Sequence, residues 1–532
     1  MMRVLLVNPH FPDSYWSGRH ALAFAGRQSL LPPLPLLTVA ALLPQDWDMR
    51  LIDMDVQPLS DEDLLAADVV MLTGMLVQRQ SMHEVLARCR KLGLRTVVGG
   101  PYATALPDEV AALADHLVIG EGEYTIPQLA ADLLNGTARS RYNEPLDENP
   151  AIPPEQWKAK KPDMTLSPTP RYDLLDIRHY HQMGLQSSRG CPFNCEFCDI
   201  IVMFGRVPRV KSAGQIIREL DAIKATGFQG SVFWVDDNFI GNKKEIRKLL
   251  PVIAAWRKNY GTMLDFYTEA SMNLADDREL VRSMTDAGFA AVFIGIETPS
   301  EEGLKETHKL QNTKRDLKRQ VRDLQEWGLD VWAGFILGFD SDKPEIFDQM
   351  IDFIDEAAIP YAMVGMLGAL PNTPLFEKMV KTGRIRELHT GDQFGLTNFE
   401  TKLPASQMIA GYHKVIASLY SGRKFFSRCR KNLARWKPAG VRRSTNWAEL
   451  RSGMRAFYTQ AVKSPYRLQY WLHLMLVMLR HPTKLRRAIA QAAAGHHYIT
   501  FTRETVIPRL KQQAAMLEPM HAAMLKHVTD ST

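Results

Sequence analysis

Three of the five cysteines in this 532-residue chain, Cys191, Cys195 and Cys198, fall within eight residues, in the stretch SSRGCPFNCEFCDI. A disulfide framework would need paired partners and an oxidising compartment. Cys89 and Cys429 lie far off, however, and the opening MMRVLLVNPHF carries no secretory signal. The expectation is a reduced, cytoplasmic protein. Structural zinc takes four ligands, usually as two separated pairs, whereas this window offers three thiolates and no nearby histidine. Three soft ligands leave a metal site open, which suits an iron–sulfur cluster in which the protein holds three irons and the fourth can bind a substrate.

The Cys-x3-Cys-x2-Cys spacing, with the aromatic Phe197 before the last cysteine, resembles the cluster loop of the radical S-adenosylmethionine (SAM) superfamily. The resemblance implies a [4Fe-4S] cluster on Cys191, Cys195 and Cys198, with SAM chelated to the open iron through its amino and carboxylate groups. It also implies an external electron donor such as flavodoxin or ferredoxin. Homolysis of the reduced sulfonium would give a 5′-deoxyadenosyl radical, which takes hydrogen from an unactivated carbon as no protein acid or base can.

Such a loop needs a scaffold. From MGLQSSRG onward, the β-rich runs GSVFWVDD, LDFYTEA, AAVFIGIE, DVWAGFILGF and YAMVGMLGAL alternate with helical stretches such as SAGQIIRELDAIKATG and KPEIFDQMIDFIDEAA. Six β/α units predict an incomplete TIM-type parallel barrel, in which functional groups sit at the C-terminal strand ends. Asp236, Asp237 and Asn238 end the second strand, Glu269, Ser271 and Asn273 follow the third, and Gly295 and Glu297 belong to the GIE turn ending the fourth. By the resemblance, these would meet the amino, carboxylate, ribose and adenosyl parts of SAM. A lone strand-end carboxylate is ordinarily a solvated charge or a helix cap. Several polar groups at the same end of successive strands argue for cofactor contact.

The first 135 residues alternate in the same way: RVLLVNP, MRLIDMD, DVVMLTGML, RTVVGG and DHLVIGEGE read as strands of a doubly wound, Rossmann-like parallel sheet. Thr73-Gly74, Gly99-Gly100 and the turn from Gly120 to Glu123 stand where these strands break. Glycine there has a plain use, since a tight strand-to-helix turn wants positive φ or close packing. The order of elements, with LTGML after the third strand and VVGGP after the fourth, resembles the cobalamin-binding domain that precedes the radical SAM domain in one large subgroup. That resemblance implies cobalamin contacts at Thr73, Gly74, Gly99, Gly100, Gly120 and Glu121. Because no Asp-x-His-x-x-Gly motif is present, it implies base-off cobalamin without a histidine ligand. His10 is a lone loop histidine.

The formal charge of +6 hides an asymmetry. Residues 421 to 490 hold seventeen Lys or Arg against one acid, Glu449, and the rest of the chain is net acidic. No run reaches the roughly 20 apolar residues of a membrane span. The nearest, YWLHLMLVML, reads as a core helix or an interfacial segment. The expected domains are 1–135 for cobalamin, 136–180 as a linker, 181–400 for the radical SAM barrel and 401–532 as a basic helical extension. The extension, with aromatics among its cations, could be a solvated cap, a nucleic-acid face or a peripheral contact at the inner face of the membrane. Its apolar run argues against nucleic acid.

The segments CEFCDIIVMFGRVPRVKS, GSVFWVDDNFIGNKKEIRKLLP and YTEASMNLADD resemble the subgroup that contains the hopanoid C-2 methylase. The leading expectation is therefore a cobalamin-dependent radical SAM C-methyltransferase acting on an apolar, lipid or isoprenoid-like small molecule. A non-methylating rearrangement or cyclisation with the same cofactors is the alternative, and a cobalamin or redox sensor the third. A methylthiotransferase is excluded by its need for a second, N-terminal set of three cysteines, where this chain has only Cys89.

Overall fold

Along β1 (Arg3–Asn8), alternate side chains go to opposite faces. Val4 and Leu6 enter one apolar cluster, Leu5 and Val7 another. A strand buried on both faces reads as a continuous apolar run, which is why RVLLVN shows no polar alternation. The computed structural model describes residues 1–148, 153, 158–261, 264–439 and 447–517. In it, β1 is joined by β2 (Asp48–Asp53), β3 (Val69–Thr73), β4 (Arg95–Gly99), β5 (His116–Ile119) and β6 (Arg141–Asn143), in the parallel order β2-β1-β3-β4-β5-β6. The helix Arg79–Lys91 covers one face through Met82, Val85, Leu86 and Cys89. The helices Leu34–Leu42 and Gly122–Asn135 cover the other through Leu36, Ala40, Ile126, Leu129 and Leu133. The order reverses between β1 and β3, and the crevice beyond the strand ends at such a switch point is where doubly wound sheets bind ligands.

The stretch expected to be a linker contributes β6 to this sheet and a short ribbon, β7 (Leu146–Asp147) against β8 (Lys158–Ala159). Residues 149–152 and 154–157 of that stretch, and 440–446 and 518–532 of the expected C-terminal extension, lie outside the described residues.

Two compact units are present. One comprises Met1–Asp13, Arg27–Pro192 and Asp199–Trp256, the other Ser14–Gly26, Phe193–Cys198 and Arg257–Thr532. In the first, β9 (Gln182–Leu185) leads to β10 (Ser188–Arg189), which runs antiparallel to β11 (Arg209–Val210), and β9 itself pairs in parallel with β12 (Gly230–Trp234). In the second, β13 (Leu264–Glu269), β14 (Phe289–Glu297), β15 (Asp330–Leu337) and β16 (Ala362–Met366) are successive parallel neighbours. The strands β9 and β12 to β16 are the six of a parallel half-barrel, as the six-unit pattern predicts. After β16 the second unit is helical, with Ala405–Leu419, Gly422–Arg435, Trp447–Tyr458, Arg467–Arg480 and Leu485–Phe501 as its long helices. Among the described residues, no helix is long and apolar enough to cross a membrane.

Candidate cofactor sites

In the first unit the approach to the cluster loop is fixed by two carboxylates at the end of β12. Asp236 is 1% exposed and accepts from Ser187 N at 2.6 Å, Ser188 Oγ at 2.8 Å and the Ser187 hydroxyl. Its expected contact with SAM therefore competes with a structural task, since these bonds already occupy both of its oxygens. Asp237 Oδ2 accepts from Gly190 N at 2.8 Å, one residue before Cys191. Burial, with a further push from Asp236, raises Asp237 to about 7. The Asn238 amide lies 3.8 Å from Cys191 Sγ. A carboxylate, an amide and the backbone of the cluster loop are thus held together at one strand end.

In the second unit, Cys195 and Cys198 are met from the chain that follows β14. Glu297 ends β14 with φ of 67, a left-handed backbone that a residue with a side chain seldom adopts. Its carboxylate lies 2.6 Å from Lys309 Nζ. A Cβ at Gly295 would come within 2.3 Å of Glu297 Oε1 and 3.0 Å of Lys309 Nζ, so a side chain there would displace the ends of the ion pair. Asn312 Nδ2 ties down the turn by donating to Gly295 O at 3.1 Å and Ile296 O at 3.2 Å. Burial alone would lower the Lys309 pKa, but Glu297 and the thiolates of Cys195 and Cys198 outweigh it and hold the ammonium above the usual lysine range. Gln311 Nε2 reaches Cys195 Sγ at 3.7 Å. The loop between the two cysteines is pinned through Glu196, whose N–H donates to Thr307 O at 3.1 Å and whose C=O accepts from Leu375 N at 2.9 Å. Phe197 packs on the apolar cluster of Phe339, Leu367, Leu375 and Phe399.

Glu269 ends β13 in register with Phe293 of β14, and Ser271 Oγ donates to Asn273 Oδ1 at 2.6 Å just beyond it. The expected strand-end set is therefore distributed over both units at the positions the barrel pattern assigns. Lys309 and Gln311 were not expected. They sit in a charge-rich stretch, GLKETHKLQN, that reads as solvated helix surface.

At the ends of β3, β4 and β5 the three glycine turns are stitched to one another. Tyr102 N donates to Gly74 O at 3.0 Å, while Thr104 Oγ donates to Gly100 O at 2.9 Å and accepts from Gly120 N at 3.0 Å. Gly100 and Gly120 have φ of 89 and 84. A Cβ on Gly100 would sit 2.1 Å from Thr73 Oγ1, and one on Gly120 2.3 Å from Glu144 Cδ. On Gly74 it would sit 2.8 Å from Met82 Cε, whereas on Gly99 it would meet nothing closer than 3.4 Å. Left-handed backbone accounts for Gly100 and Gly120, while at Gly74 the obstacle is only the mobile end of Met82 and Gly99 keeps room.

Glu121 is 4% exposed, with its oxygens 2.7 Å from Arg189 Nη1 and 2.7 Å from Arg209 Nη2. Glu123 lies 2.8 Å from the same Arg189, and Glu144 pairs with Lys161 at 2.8 Å while accepting from Glu121 N at 2.7 Å. The turn after β5 is thereby ion-paired to β10 and β11, next to the cluster loop. Neither arginine was singled out in the sequence, where RG and VPRV carry no motif of their own. His10 Nδ1 lies 2.6 Å from Asp55 Oδ1.

The donor chemistry suits both groups. Within each unit by itself the partners suit thiolate ligands of a cluster, with an amide at sulfur distance from Cys191 in the first, and in the second an amide at Cys195 and a buried cation beside Cys195 and Cys198. The strand end without a side chain at Gly99, near the Thr73 hydroxyl, fits a ligand passing close to backbone.

Residues 22–130 match the family described as B12 binding domain, 185–354 the Radical SAM superfamily, and 373–509 a domain of unknown function, DUF4070. The chain is 39% identical over 518 residues to an uncharacterized methyltransferase of Synechocystis sp., covering 96% of this chain and 94% of that one. It is 32% identical over 512 residues to the hopanoid C-2 methylase of Rhodopseudomonas palustris, covering 94% of each. The fold is also that of the radical SAM methyltransferase TsrM from Kitasatospora setae, solved with cobalamin and a [4Fe-4S] cluster, with a TM-score of 0.60, 16% identity, and 92% of this chain and 99% of that one covered.

Proposed function

The chain belongs to the family of cobalamin-dependent radical SAM methyltransferases, and on that premise we propose that it methylates an unactivated carbon of an apolar, lipid or isoprenoid-like small molecule. The observation that carries the proposal is the 32% identity with a hopanoid methylase across 94% of both chains, extending past the shared cofactor domains into the helical C-terminal region. The cofactors of such an enzyme are a [4Fe-4S] cluster, SAM and cobalamin. Together they supply a hydrogen-abstracting carbon radical and a transferable methyl group.

The chain's own residues then have separable tasks. Cys191, Cys195 and Cys198 hold the cluster. Lys309 and Gln311 offset its charge, while Asp236 sets the backbone of the strand that feeds the loop. Asp237, Asn238, Glu269, Ser271, Asn273 and Glu297 are the SAM-side groups, with Glu297 acting through the position it imposes on Lys309. Thr73, Gly99 and Gly100 are the residues that would hold cobalamin. We read it as base-off without a histidine ligand, because the chain has no Asp-x-His-x-x-Gly motif. An external one-electron donor such as flavodoxin or ferredoxin is required. A lipid-like substrate brings with it peripheral contact at the inner face of the membrane.

The test is anaerobic reconstitution with iron, sulfide and hydroxocobalamin, then reduction with SAM and chromatography for 5′-deoxyadenosine and S-adenosylhomocysteine, with a Cys195→Ala control. Both products, the first lost in the control, are expected. 5′-Deoxyadenosine without S-adenosylhomocysteine in the presence of polycyclic lipid acceptors would overturn methylation of that class.

A further inference from the structure

The helix Arg467–Arg480 is apolar on two sides. Its inward stripe is Tyr470, His473, Leu474 and Val477. On the outside, Leu468, Leu472, Met475 and Leu479 follow one another at i, i+4, i+7 and i+11, and Leu468 and Leu479 are 75% and 74% exposed. The helix Trp447–Tyr458 repeats the pattern, with Trp447, Leu450 and Met454 all exposed, Trp447 at 80%. The two outer faces meet where Phe457 and Trp471 pack edge to face with ring centroids 5.4 Å apart, and Trp471 Nε1 is fixed by donation to Ala461 O at 3.1 Å. A solvated face would carry polar side chains at these positions, and apolar patches beyond a few hundred Å² mark a surface that is covered in use.

Charge selects the cover. Arg451, Lys463, Arg467 and Arg480 stand exposed around the face, and the one acid in the region, Glu449, is paired with Arg486. A second copy of the chain would oppose one cationic rim to another. A nucleic acid would match the rim and leave the apolar centre against water. An anionic lipid bilayer satisfies both, with Trp and aliphatic groups at the headgroup–acyl boundary and Lys or Arg on phosphates. The ammonium of exposed Lys463 lies over the Tyr458 ring, with Nζ 5.2 Å from its centroid, which sets a cation beside the aromatic edge of the face. Lys484 and Arg487 turn inward instead: Lys484 donates to Trp436 O at 2.6 Å, and Arg487 lies over the Trp436 ring and pairs with Asp330.

We propose that the outer face shared by the helices Trp447–Tyr458 and Arg467–Arg480 docks the protein on an anionic lipid bilayer. Its purpose, delivery of a lipid-like substrate, rests on the function proposed above, but the surface itself does not. The test is flotation of the reconstituted full-length protein with vesicles of phosphatidylcholine alone or with about 30% phosphatidylglycerol, at roughly 0.1 and 0.5 M salt. Binding to the anionic vesicles at low salt is expected, falling at least about tenfold on neutral vesicles or at high salt. The double variant Leu472→Glu, Met475→Glu should lose binding about tenfold or more, and Arg467→Gln roughly fivefold, with iron content and 5′-deoxyadenosine formation unchanged. Absence of wild-type binding overturns the proposal, as does unchanged binding of the double variant, or a wild-type dimer that this variant splits while vesicles are ignored. None of these results touches methyl transfer to a detergent-dispersed acceptor, so the surface and the proposed function fail separately.

Discussion

At the scale of single residues, the pair Glu297–Lys309 sets the electrostatics at Cys195 and Cys198. Reduction adds negative charge to a cluster, so a buried ammonium beside its ligands favours the reduced form. Lys309→Met should lower the reduction potential by on the order of 50 mV, equivalent to about 1 kcal/mol, and Glu297→Gln should raise it. A redox titration followed by electron paramagnetic resonance on the reconstituted protein reads both signs, and shifts in the same direction would sink the assignment. The cysteines were legible in the sequence because thiolate spacing is itself the coordination chemistry. Lys309 was not, because its role depends on the chain doubling back twelve residues after Glu297. The one local trace of that fold is Gly295, the position where a side chain would strike the pair.

At the scale of elements, the strands were legible because both sheets leave apolar runs, with β1 and β3 buried on two faces and β12 and β15 alternating buried with half-buried side chains. The exception is β6, three residues in a proline-rich and charged stretch, with Tyr142 as its single buried side chain. One inward residue makes no period. The C-terminal helices hide a different liability. His473 is fully buried against Phe426, and burial, with Arg430 adding to it, lowers its pKa to about 3, while burial beside His20 and Arg503 lowers His496 to about 4. An unfolded histidine takes up its proton near pH 6.5 and these do not, so their contribution is complete above that pH. It is lost as pH falls from about 6.5 toward 4, by up to about 1.4 kcal/mol per pH unit for each histidine. Urea midpoints at pH 7, 5.5 and 4.5 should therefore fall steadily, and His473→Phe, which keeps the ring stacking, should flatten the profile. A wild-type midpoint that does not move over that range would refute it.

At the scale of the whole molecule, the basic C-terminal region shows why composition gives a poor map. Seventeen cations lie between 421 and 490, yet Arg428 is spent entirely inside, bonded to Ile359 O, Leu419 O and Asp355. Charges that look alike in the sequence are divided by folding into core fasteners and surface rim. The acidic turn after β5 is the complementary case, with Glu121 between Arg189 and Arg209. Glu121→Ala should cost roughly 3–5 kcal/mol, because it strands buried guanidinium groups, whereas Glu121→Gln, which keeps some of their hydrogen bonds, should cost less. Thermal melts of the two variants rank them, and equal losses would mean that packing rather than charge holds the turn. The same arrangement governs timing on the ribosome. Residues 1–135 are made well before Arg209, about 74 residues and roughly 4–15 s earlier at ordinary synthesis rates. Through about the first 54 residues of that interval Glu121 and Glu123 have no cation to fold against; Arg189 then supplies one for both and Arg209 the second for Glu121, so the turn is expected to close in two steps, and a nascent chain stalled short of Arg189 would expose it to protease.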